Sequence, residues 1–478
     1  MSKSQSNISR LAVKALGLFG GVQIMGILCS IIRTKLVALW IGPVGVGLFG
    51  IFNNVLEMLN TGTNLGVRSS SVRDISQAAD TGRTDVISRI VTVVRRWSLW
   101  LGLAGALLTL AAAPMLSRLT FGNDNYIWGF VALSIAVLLM AITNGEQAIM
   151  QGSQRLRRLA LSSLWGTLGG LVVSIPMFYL WRERSVVPSI IAYAACNALA
   201  AWLLRNREFP TAKVSRRETL KVGSGFVKLG IYMTIGSFAS ILAGYVFNAW
   251  LNNYAGTGEV GFYQAGYTLV NKYTGLLFTA LGMEYYPRLA RVADSRLRMR
   301  VFVSQEVNVA MMVLAPVAVL FILLREPIVW ILYTSEFSVI HSYVAWGMVG
   351  IVMRALSWCI AFVILARGDG RTYVVTEVLS AVATVVLNII CYRQWGLTGL
   401  GIAFFLSYVF YAAMVAGVYV WRYRLKMSHG ALLSTIWAFI ATASAMVLME
   451  SGLLIPAVVL TIVVLLVSVG QMRVIWRR

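Results

Sequence analysis

The sequence predicts an all-α polytopic membrane protein with fourteen transmembrane helices. Apolar residues make up 58% of the 478 residues, and charged residues make up 12%, about half the share that is typical of a soluble domain. The apolar residues also gather into stretches of about 20, the length that crosses a hydrocarbon core of about 30 Å. Composition and segment length therefore both predict that the chain spans a membrane many times.

Fourteen apolar ranges are long enough to be spanning helices. The first follows a basic N-terminus but lacks the small-residue cleavage site of a signal peptide, so we interpret it as a helix. The ranges are 10–40, 46–65, 97–118, 126–150, 159–181, 186–204, 229–251, 260–284, 303–324, 338–365, 373–392, 397–420, 430–449 and 453–471.

The orientation follows from the positions of Lys and Arg, which are enriched in cytoplasmic loops. With the N-terminus inside, 32 of the 41 basic residues fall in cytoplasmic segments, five fall in outer loops and four lie within apolar ranges. An incorrect helix count would scramble this segregation. We therefore predict a multi-pass membrane protein with both termini in the cytoplasm.

Other classes of protein fit the sequence poorly. The net charge of +23 is spread over short segments that face anionic lipid, which argues against a nucleic-acid partner. The four cysteines lie in apolar ranges without a Cys-x-x-Cys spacing, and the chain has two histidines, so we expect neither a metal site nor a disulfide framework. No phosphate-binding loop for ATP is present, and we predict no cofactor.

An internal repeat predicts two lobes. Val46-Gly-Leu-Phe49 recurs as Val260-Gly-Phe-Tyr263, at an offset of 214, and Gly152-Ser-Gln-Arg155 recurs as Gly368-Asp-Gly-Arg371, at an offset of 216. Two six-helix lobes related by an axis along the membrane normal are a known transporter architecture. The predicted domains are an N-lobe at 1–210, a cytoplasmic interlobe loop at 211–228, a C-lobe at 229–426 and a C-terminal helix pair at 427–478, all arranged with the lobes around a central cavity.

Polar side chains form a stripe on the same helix of each lobe. Spacings of 4, 3 and 4 place four of them on one face of the second helix, and two more share a face of the eighth. Two interpretations remain open, a water-filled cavity or hydrogen bonds that hold helices together. The stripe residues are Asn53, Glu57, Asn60 and Asn64, and Gln264 and Asn271.

Four cations lie within apolar ranges, where a charge costs about 2.5 to 3.5 kcal/mol. They are Arg33, Lys35, Lys272 and Arg354. The helical wheel favours an inward Arg33 and leaves Lys35 free to reach the outer interface. With Glu57, Glu146 and Glu377 as the main carboxylates, the cations predict an anionic substrate. The alternative is that they form buried ion pairs that only hold helices together.

Several segments resemble one family. Ala38-Leu-Trp-Ile-Gly-Pro-Val-Gly-Val-Gly-Leu48, Leu119-Thr-Phe-Gly-Asn-Asp124, Tyr286-Pro-Arg-Leu-Ala-Arg291, Leu324-Arg-Glu-Pro-Ile-Val-Trp330 and Thr376-Glu-Val378 are similar to segments of the Wzx-type lipid-linked oligosaccharide flippases, which include O-antigen translocases and lipid III flippases. The resemblance is collinear from about residue 10 to about residue 425.

The resemblance implies the multidrug/oligosaccharidyl-lipid/polysaccharide exporter fold and a substrate, an oligosaccharide on undecaprenyl pyrophosphate, that moves to the outer leaflet. It also implies basic residues at the positions of Lys35 and Arg354, so Arg33 and Lys35 both stay candidates. A polysaccharide polymerase and a chain-length regulator are candidate partners. Relatives often stop after twelve helices, so the last pair is either an accessory surface or an extension of a lipid-tail groove.

The expected mechanism is alternating access. Arg33 or Lys35, Lys272 and Arg354 attract the pyrophosphate or acidic sugars, and Asn53, Asn60, Gln264 and Asn271 bind sugar hydroxyls. Glu57 or Glu377 couples the return step to H⁺ or Na⁺. The alternatives are a lipid II flippase or a cation-coupled drug exporter of the same superfamily. A membrane glycosyltransferase or polymerase, which would need a larger outer loop, is disfavoured, and the prediction is a protein that is not an enzyme.

Overall fold

The computed structural model describes residues 2–64, 66–80, 83–205, 208–209 and 212–476. These residues are almost all helical, and no strand occurs among them. The helices are α1 Ser2–Trp40, α2 Gly42–Asn64, α3 Val67–Asp80, α4 Thr84–Phe121, α5 Ile127–Gly152, α6 Leu156–Trp181, α7 Val186–Leu203, α8 Arg216–Ala255, α9 Thr257–Tyr267, α10 Thr274–Arg291, α11 Arg296–Leu323, α12 Arg325–Leu332, α13 His341–Ala366, α14 Gly370–Gly417, α15 His429–Glu450 and α16 Leu454–Trp476.

The predicted all-α membrane fold is confirmed, and thirteen of the fourteen predicted ranges lie on the spans given next; the other, 260–284, covers α9, a π-helical segment and α10 and is not among those spans. Within the described residues, eleven continuous helical spans are long and apolar enough to cross a membrane. One of them, Leu156–Leu203, contains both α6 and α7, and another, Gly370–Arg422, contains the predicted eleventh and twelfth helices. Those two are separated at Gly396, where φ is 57° and ψ is −138°. Only glycine adopts this backbone region readily, so Gly396 divides α14.

Four helical features differ from the sequence prediction. The short helices α3 and α12 escape a search for 20-residue apolar stretches, because α3 has 14 residues and α12 has eight. Residues 216–228, which we predict as loop, form the first turns of α8, where the Ser215 hydroxyl caps the helix by accepting from the Glu218 amide at 3.1 Å. The predicted eighth helix is divided by a π-helical segment, Thr268–Tyr273.

The chain folds as two compact units, residues 1–260 and 261–478. The first contains α1–α8. Its α8 is fastened to α4 at both ends: Trp97 donates from Nε1 to the Thr219 carbonyl at 2.8 Å, and Asn252 donates from Nδ2 to the Thr120 carbonyl at 2.9 Å. By contacts α8 therefore belongs with the first six predicted helices, whereas the repeat assigns it to the C-lobe. The predicted lobe boundaries stay a prediction.

The second unit contains α10–α16, and its C-terminal helix pair is part of the packed structure. The α15 N-terminus is held by Ser428, whose amide donates to the Ser304 hydroxyl at 3.2 Å, and by Ser434, which donates to Asn308 Oδ1 at 2.7 Å. The other end of α15 is held by an ion pair between Arg325 and Glu450, with Nη1 and Oε1 2.6 Å apart. These contacts join α15 to α11 and α12 rather than leaving it as a detached surface.

Candidate functional site

Arg33 lies among aromatic and small side chains of the first unit. Its guanidinium carbon is 4.8 Å from the ring centroid of Phe49 on α2 and 4.9 Å from that of Tyr193 on α7. These are cation–π distances. Its Nε is buried and has no hydrogen-bond acceptor within the described part of the chain. The charge is therefore held by ring faces, with donor capacity left over.

A small pocket adjoins Arg33. Its cavity volume is about 20 Å³, enough for about one water molecule and far below the range of about 300–1,000 Å³ that is common for sites that take a drug-sized ligand. Residues of α1, α6 and α7 line it: Gly26, Cys29, Ser30, Arg33, Thr167, Leu171 and Tyr193. The pocket can take a small polar group beside the guanidinium.

Arg354 is a cation within an apolar span of the second unit. Its guanidinium carbon lies 4.6 Å from the ring centroid of Phe278 and 5.7 Å from that of Tyr408. Nη1 donates to the Asn271 carbonyl at 3.3 Å and to the Thr274 hydroxyl at 3.4 Å. Asn271 belongs to the π-helical segment, and π-helical turns occur often at functional sites.

The other two predicted cations differ in exposure. Lys35 is half-buried on α1, two residues beyond Arg33, and Lys272 is exposed on the π-helical segment. The helical wheel pointed Arg33 to the interior, and its contacts with Phe49 and Tyr193 agree with that direction. A role of these cations in substrate binding stays a prediction.

The polar stripe of α2 is present, and part of it joins helices. Glu57 is exposed, whereas the opposite face of α2 is buried through residues such as Val55 and Leu56. Asn60 accepts from Asn144 of α5 at 3.3 Å and also accepts from Asn64. Asn60 therefore fits the second interpretation of the stripe, in which the amides hold helices together.

The remaining predicted amides lie close to backbone or in the core. Asn53 donates from Nδ2 to the Phe49 carbonyl, one turn earlier on α2, at 2.7 Å. In the second unit, Gln264 is buried on α9, and Asn271 is half-buried. The Asn271 carbonyl, rather than its side chain, is the group that accepts from Arg354. The amide side chains of Asn53 and Gln264 are thus less accessible to a sugar than the stripe alone suggests.

The carboxylates have different surroundings. Glu377 on α14 is half-buried and accepts from the Tyr411 hydroxyl at 2.7 Å. Glu146 on α5 is buried and accepts two hydrogen bonds from Arg95, at 2.7 and 3.0 Å. Glu146 therefore belongs to an ion pair between α4 and α5 inside the first unit. Among the described residues, no group of His, Cys, Asp and Glu could hold a metal ion.

Sequence reasoning missed the aromatic partners of the two arginines. Phe49, Tyr193, Phe278 and Tyr408 are ordinary members of apolar ranges, because an aromatic residue in a membrane helix is more often in contact with lipid or core. One signal was available. Tyr193 and Tyr408 are related by an offset of 215, which is the spacing of the internal repeat.

Comparison with known proteins identifies the family. A model of a family described as polysaccharide biosynthesis protein matches residues 36–342, more than half of the chain. The chain belongs to the polysaccharide biosynthesis protein family. Among its curated relatives is the lipid III flippase of Escherichia coli (strain K12), which is 23% identical over 399 residues, 82% of this chain and 94% of that protein. The lipid III flippase of Shigella flexneri matches with the same identity and coverage.

Solved structures show that this polysaccharide biosynthesis protein has an exporter fold. The lipid II flippase MurJ in an inward closed conformation matches with a TM-score of 0.72 and 13% identity over 96% of this chain and all of that chain. An inward-facing MATE family multidrug resistance transporter of the MOP superfamily matches with a TM-score of 0.67 and 14% identity over 87% of this chain and 95% of that chain. The predicted two-lobe exporter fold is confirmed.

Proposed function

We propose that this protein is a flippase that moves an undecaprenyl-pyrophosphate-linked oligosaccharide from the cytoplasmic to the periplasmic leaflet by alternating access. The substrate is the repeat unit of an O-antigen or of a similar surface polysaccharide. The relatives named as lipid III flippases support this class of substrate. In this proposal the protein is a transporter of the bacterial inner membrane, with both termini in the cytoplasm, and it is not an enzyme.

One observation carries the proposal. Arg33 and Arg354 both lie in helices long and apolar enough to span a membrane, and in the described part of the chain neither is in an ion pair with a carboxylate. A charge at membrane depth without a counter-charge is costly and is rarely retained without a function. A phosphate-bearing substrate would supply the missing negative charge during transport.

The proposed substrate also explains why arginine suits these positions. A guanidinium binds phosphate through two parallel N–H groups and remains protonated at all physiological pH values. Lys272, which is exposed on the π-helical segment, adds a further cation close in sequence to Asn271, the carbonyl of which contacts Arg354. We place the pyrophosphate near these cations and a part of the oligosaccharide near the Asn271 side chain.

The test is transport by reconstituted protein. Vesicles that contain the wild type and a fluorescent undecaprenyl-pyrophosphate-linked oligosaccharide should move the sugar to the opposite leaflet, where an impermeant quencher reads its position. Arg354→Ala and Lys272→Ala should abolish transport while insertion and abundance stay normal, and Arg354→Lys and Lys272→Arg should keep part of it. Arg291→Ala, at an exposed position on α10, is the matched control.

Two outcomes would contradict the proposal. Transport of lipid II alone, with no transport of the oligosaccharide lipid, would assign the protein to the lipid II flippases. Loss of folded protein in the Ala variants would assign Arg354 and Lys272 to helix packing. In cells, deletion of the gene should cause the undecaprenyl-linked intermediate to accumulate in the inner leaflet. Chemical analysis of that intermediate would identify its oligosaccharide.

A further inference from the structure

The two units hold their membrane arginines in the same way. Arg33 lies over the ring of Tyr193, and Arg354 lies over the ring of Tyr408. The two tyrosines are related by an offset of 215, within the repeat spacing of 214 to 216. Tyr193 belongs to the last predicted helix of the N-lobe and Tyr408 to the last of the C-lobe. The arginines come from helices that are not equivalent in the repeat, α1 and α13. The tyrosines therefore occupy equivalent positions in the two units, but the arginines do not.

Each arginine also has a second ring from another helix. Phe49 of α2 lies 4.8 Å from the guanidinium carbon of Arg33, and Phe278 of α10 lies 4.6 Å from that of Arg354. A ring attracts a guanidinium through its face, whereas the N–H donors lie in the guanidinium plane. The rings therefore hold each charge without using the donors that bind an anion.

The donor edges of both arginines are incompletely used. Arg33 Nε is buried without an acceptor among the described residues, and a cavity of about 20 Å³ adjoins it. Arg354 donates at 3.3 and 3.4 Å, whereas a charge-assisted hydrogen bond usually measures about 2.7 to 2.9 Å. Both guanidinium groups can accept a better partner than their present ones.

Two other arginines that are largely shielded from solvent have carboxylate partners, whereas Arg367, 4.8 Å from the ring centroid of Tyr423, also has a buried Nε without an acceptor in the described part of the chain. Arg95 is paired with Glu146 through two hydrogen bonds of 2.7 and 3.0 Å, and Arg325 is paired with Glu450 at 2.6 Å. Both have a carboxylate partner that neutralises the charge, as expected when an arginine only joins helices. Arg33 and Arg354 have rings in place of carboxylates, so their positive charge remains available.

We propose that Tyr193 and Tyr408 are positioning residues that present Arg33 and Arg354 edge-on to phosphate oxyanions, one site in each unit. This proposal rests on the proposed function and deepens it, because it assigns a ring to each cation. The cavity beside Arg33, of about 20 Å³, has room for a single oxyanion oxygen but not for a sugar chain. A carboxylate of an acidic sugar has the same chemistry, and the experiment separates the two sources.

The experiment measures binding of three probes to purified protein in nanodiscs: undecaprenyl pyrophosphate, uncharged undecaprenol and glucuronate. Tyr193→Leu and Tyr408→Leu should weaken binding of undecaprenyl pyrophosphate by about three- to thirtyfold, the loss expected for a desolvated cation–π contact. Binding of undecaprenol should not change, because a tail contact does not depend on the cation. Tyr193→Phe and Tyr408→Phe keep the ring face and should restore binding.

Two controls separate positioning from packing. Tyr286→Leu removes a ring that lies 5.6 Å from Phe362 and has no cation over it within the described residues, and it should leave the pyrophosphate-to-undecaprenol affinity ratio unchanged. Gly26→Val places a side chain in the pocket beside Arg33, where a Cβ meets nothing within 4 Å, and should lower that ratio. Gly21→Val, at a similarly open position outside the pocket, should not.

The outcomes are distinguishable. Equal pyrophosphate-to-undecaprenol affinity ratios in the Leu and Phe variants would overturn the positioning role. If the wild type still binds undecaprenyl pyrophosphate tightly, the proposed function stands. Wild-type affinity no greater for undecaprenyl pyrophosphate than for undecaprenol would overturn the proposed function itself. Stronger binding of glucuronate than of pyrophosphate would assign the sites to acidic sugars. If a Leu variant unfolds, Tyr193→Met, Tyr408→Met and Gly26→Val decide the question.

Discussion

Asp369 accepts a hydrogen bond from Arg422, with Oδ2 and Nε 2.8 Å apart, and so ties the turn before α14 to the residues that follow it. The first unit has an ion pair at the matching place, between Arg155 and Glu208. Both members of the second pair follow those of the first by 214 residues with the charges exchanged, although the Gly-x-x-Arg match in these turns has an offset of 216. The repeat thus retains the attraction between the two chain segments while the residues that supply it differ.

Asp369 should make stability depend on pH. Burial alone would raise the pKa of this carboxyl, but hydrogen bonds from Thr372, Tyr423 and Arg422 outweigh burial and hold the pKa below its ordinary value. Because the folded-state pKa lies below the unfolded value of about 3.9, the stabilisation is complete above that value and is lost as the pH falls through the folded-state pKa.

The measurement is thermal unfolding of purified protein between pH 7 and pH 3. Asp369→Asn should lower the unfolding temperature at pH 7 and flatten its decline at acid pH relative to the wild type. Asp294→Asn, at an exposed turn, is the control and should follow the wild-type curve. Parallel curves for Asp369→Asn and the wild type would exclude a stabilising role for the Asp369 carboxylate.

Loss of one partner of the Arg95–Glu146 ion pair should destabilise the fold more than loss of both partners. The side chains are 25% and 10% exposed, so removal of one partner leaves a buried, uncompensated charge or donor. Glu146→Gln and Arg95→Met should each cost about 3–5 kcal/mol, and the double variant should recover much of that loss. Chemical unfolding of the four proteins gives the coupling energy. Additive losses would show that the two side chains act independently.

Glu57 should couple transport to an ion gradient. It is exposed on α2 within the polar stripe, so it can exchange a proton or bind a cation without breaking a contact inside the unit. Glu57→Gln should retain flipping but lose its dependence on an imposed pH or Na⁺ gradient across reconstituted vesicles. Glu336→Gln, at an exposed position, is the control. Undiminished gradient dependence in Glu57→Gln would move the coupling role to Glu377.

Glu450 should be needed for the fold of the second unit. It is the carboxylate partner of Arg325, which is 6% exposed, and its loss leaves that guanidinium buried without a counter-charge. Glu450→Gln should lower the unfolding temperature of the purified protein. Arg325→Met in the same chain should restore part of it. An unchanged unfolding temperature in Glu450→Gln would show that α15 is held by its Ser428 and Ser434 contacts alone.

Periodicity and length predicted the spanning helices because a bilayer imposes both on the sequence. The apolar ranges end at turns such as those at Gly42 and Gly452, so helix positions could be read from composition. Segments outside the bilayer are not subject to this constraint on apolar length. The helix α3 has polar residues such as Asp74 and Gln77 on its surface, and nothing in a 20-residue hydropathy window marks it.

The sequence points to the cations of the candidate site but not to their neighbours. The charges of Arg33 and Arg354 are conspicuous in apolar sequence, and the helical wheel gave the direction of Arg33. Pairing could not be predicted, because Arg95 and Glu146 are 51 residues apart and their contact depends on how α4 and α5 pack. The cation–π contacts of Tyr193 and Tyr408 could not be predicted either, because they depend on which side chain packs over each ring.

The attachment of α8 has a consequence for biosynthesis. Because both ends of α8 bind α4, the first unit is incomplete when the ribosome has finished residue 210, and its last partner arrives only when Ala255 has been inserted. The growing chain must therefore keep the α4 surface that contains Trp97 and Thr120 accessible through the translation of some forty further residues. If the gene were divided into two co-expressed fragments, the productive break would follow Gly256, where φ is 92°, and a break in the basic linker would leave α4 without its neighbour.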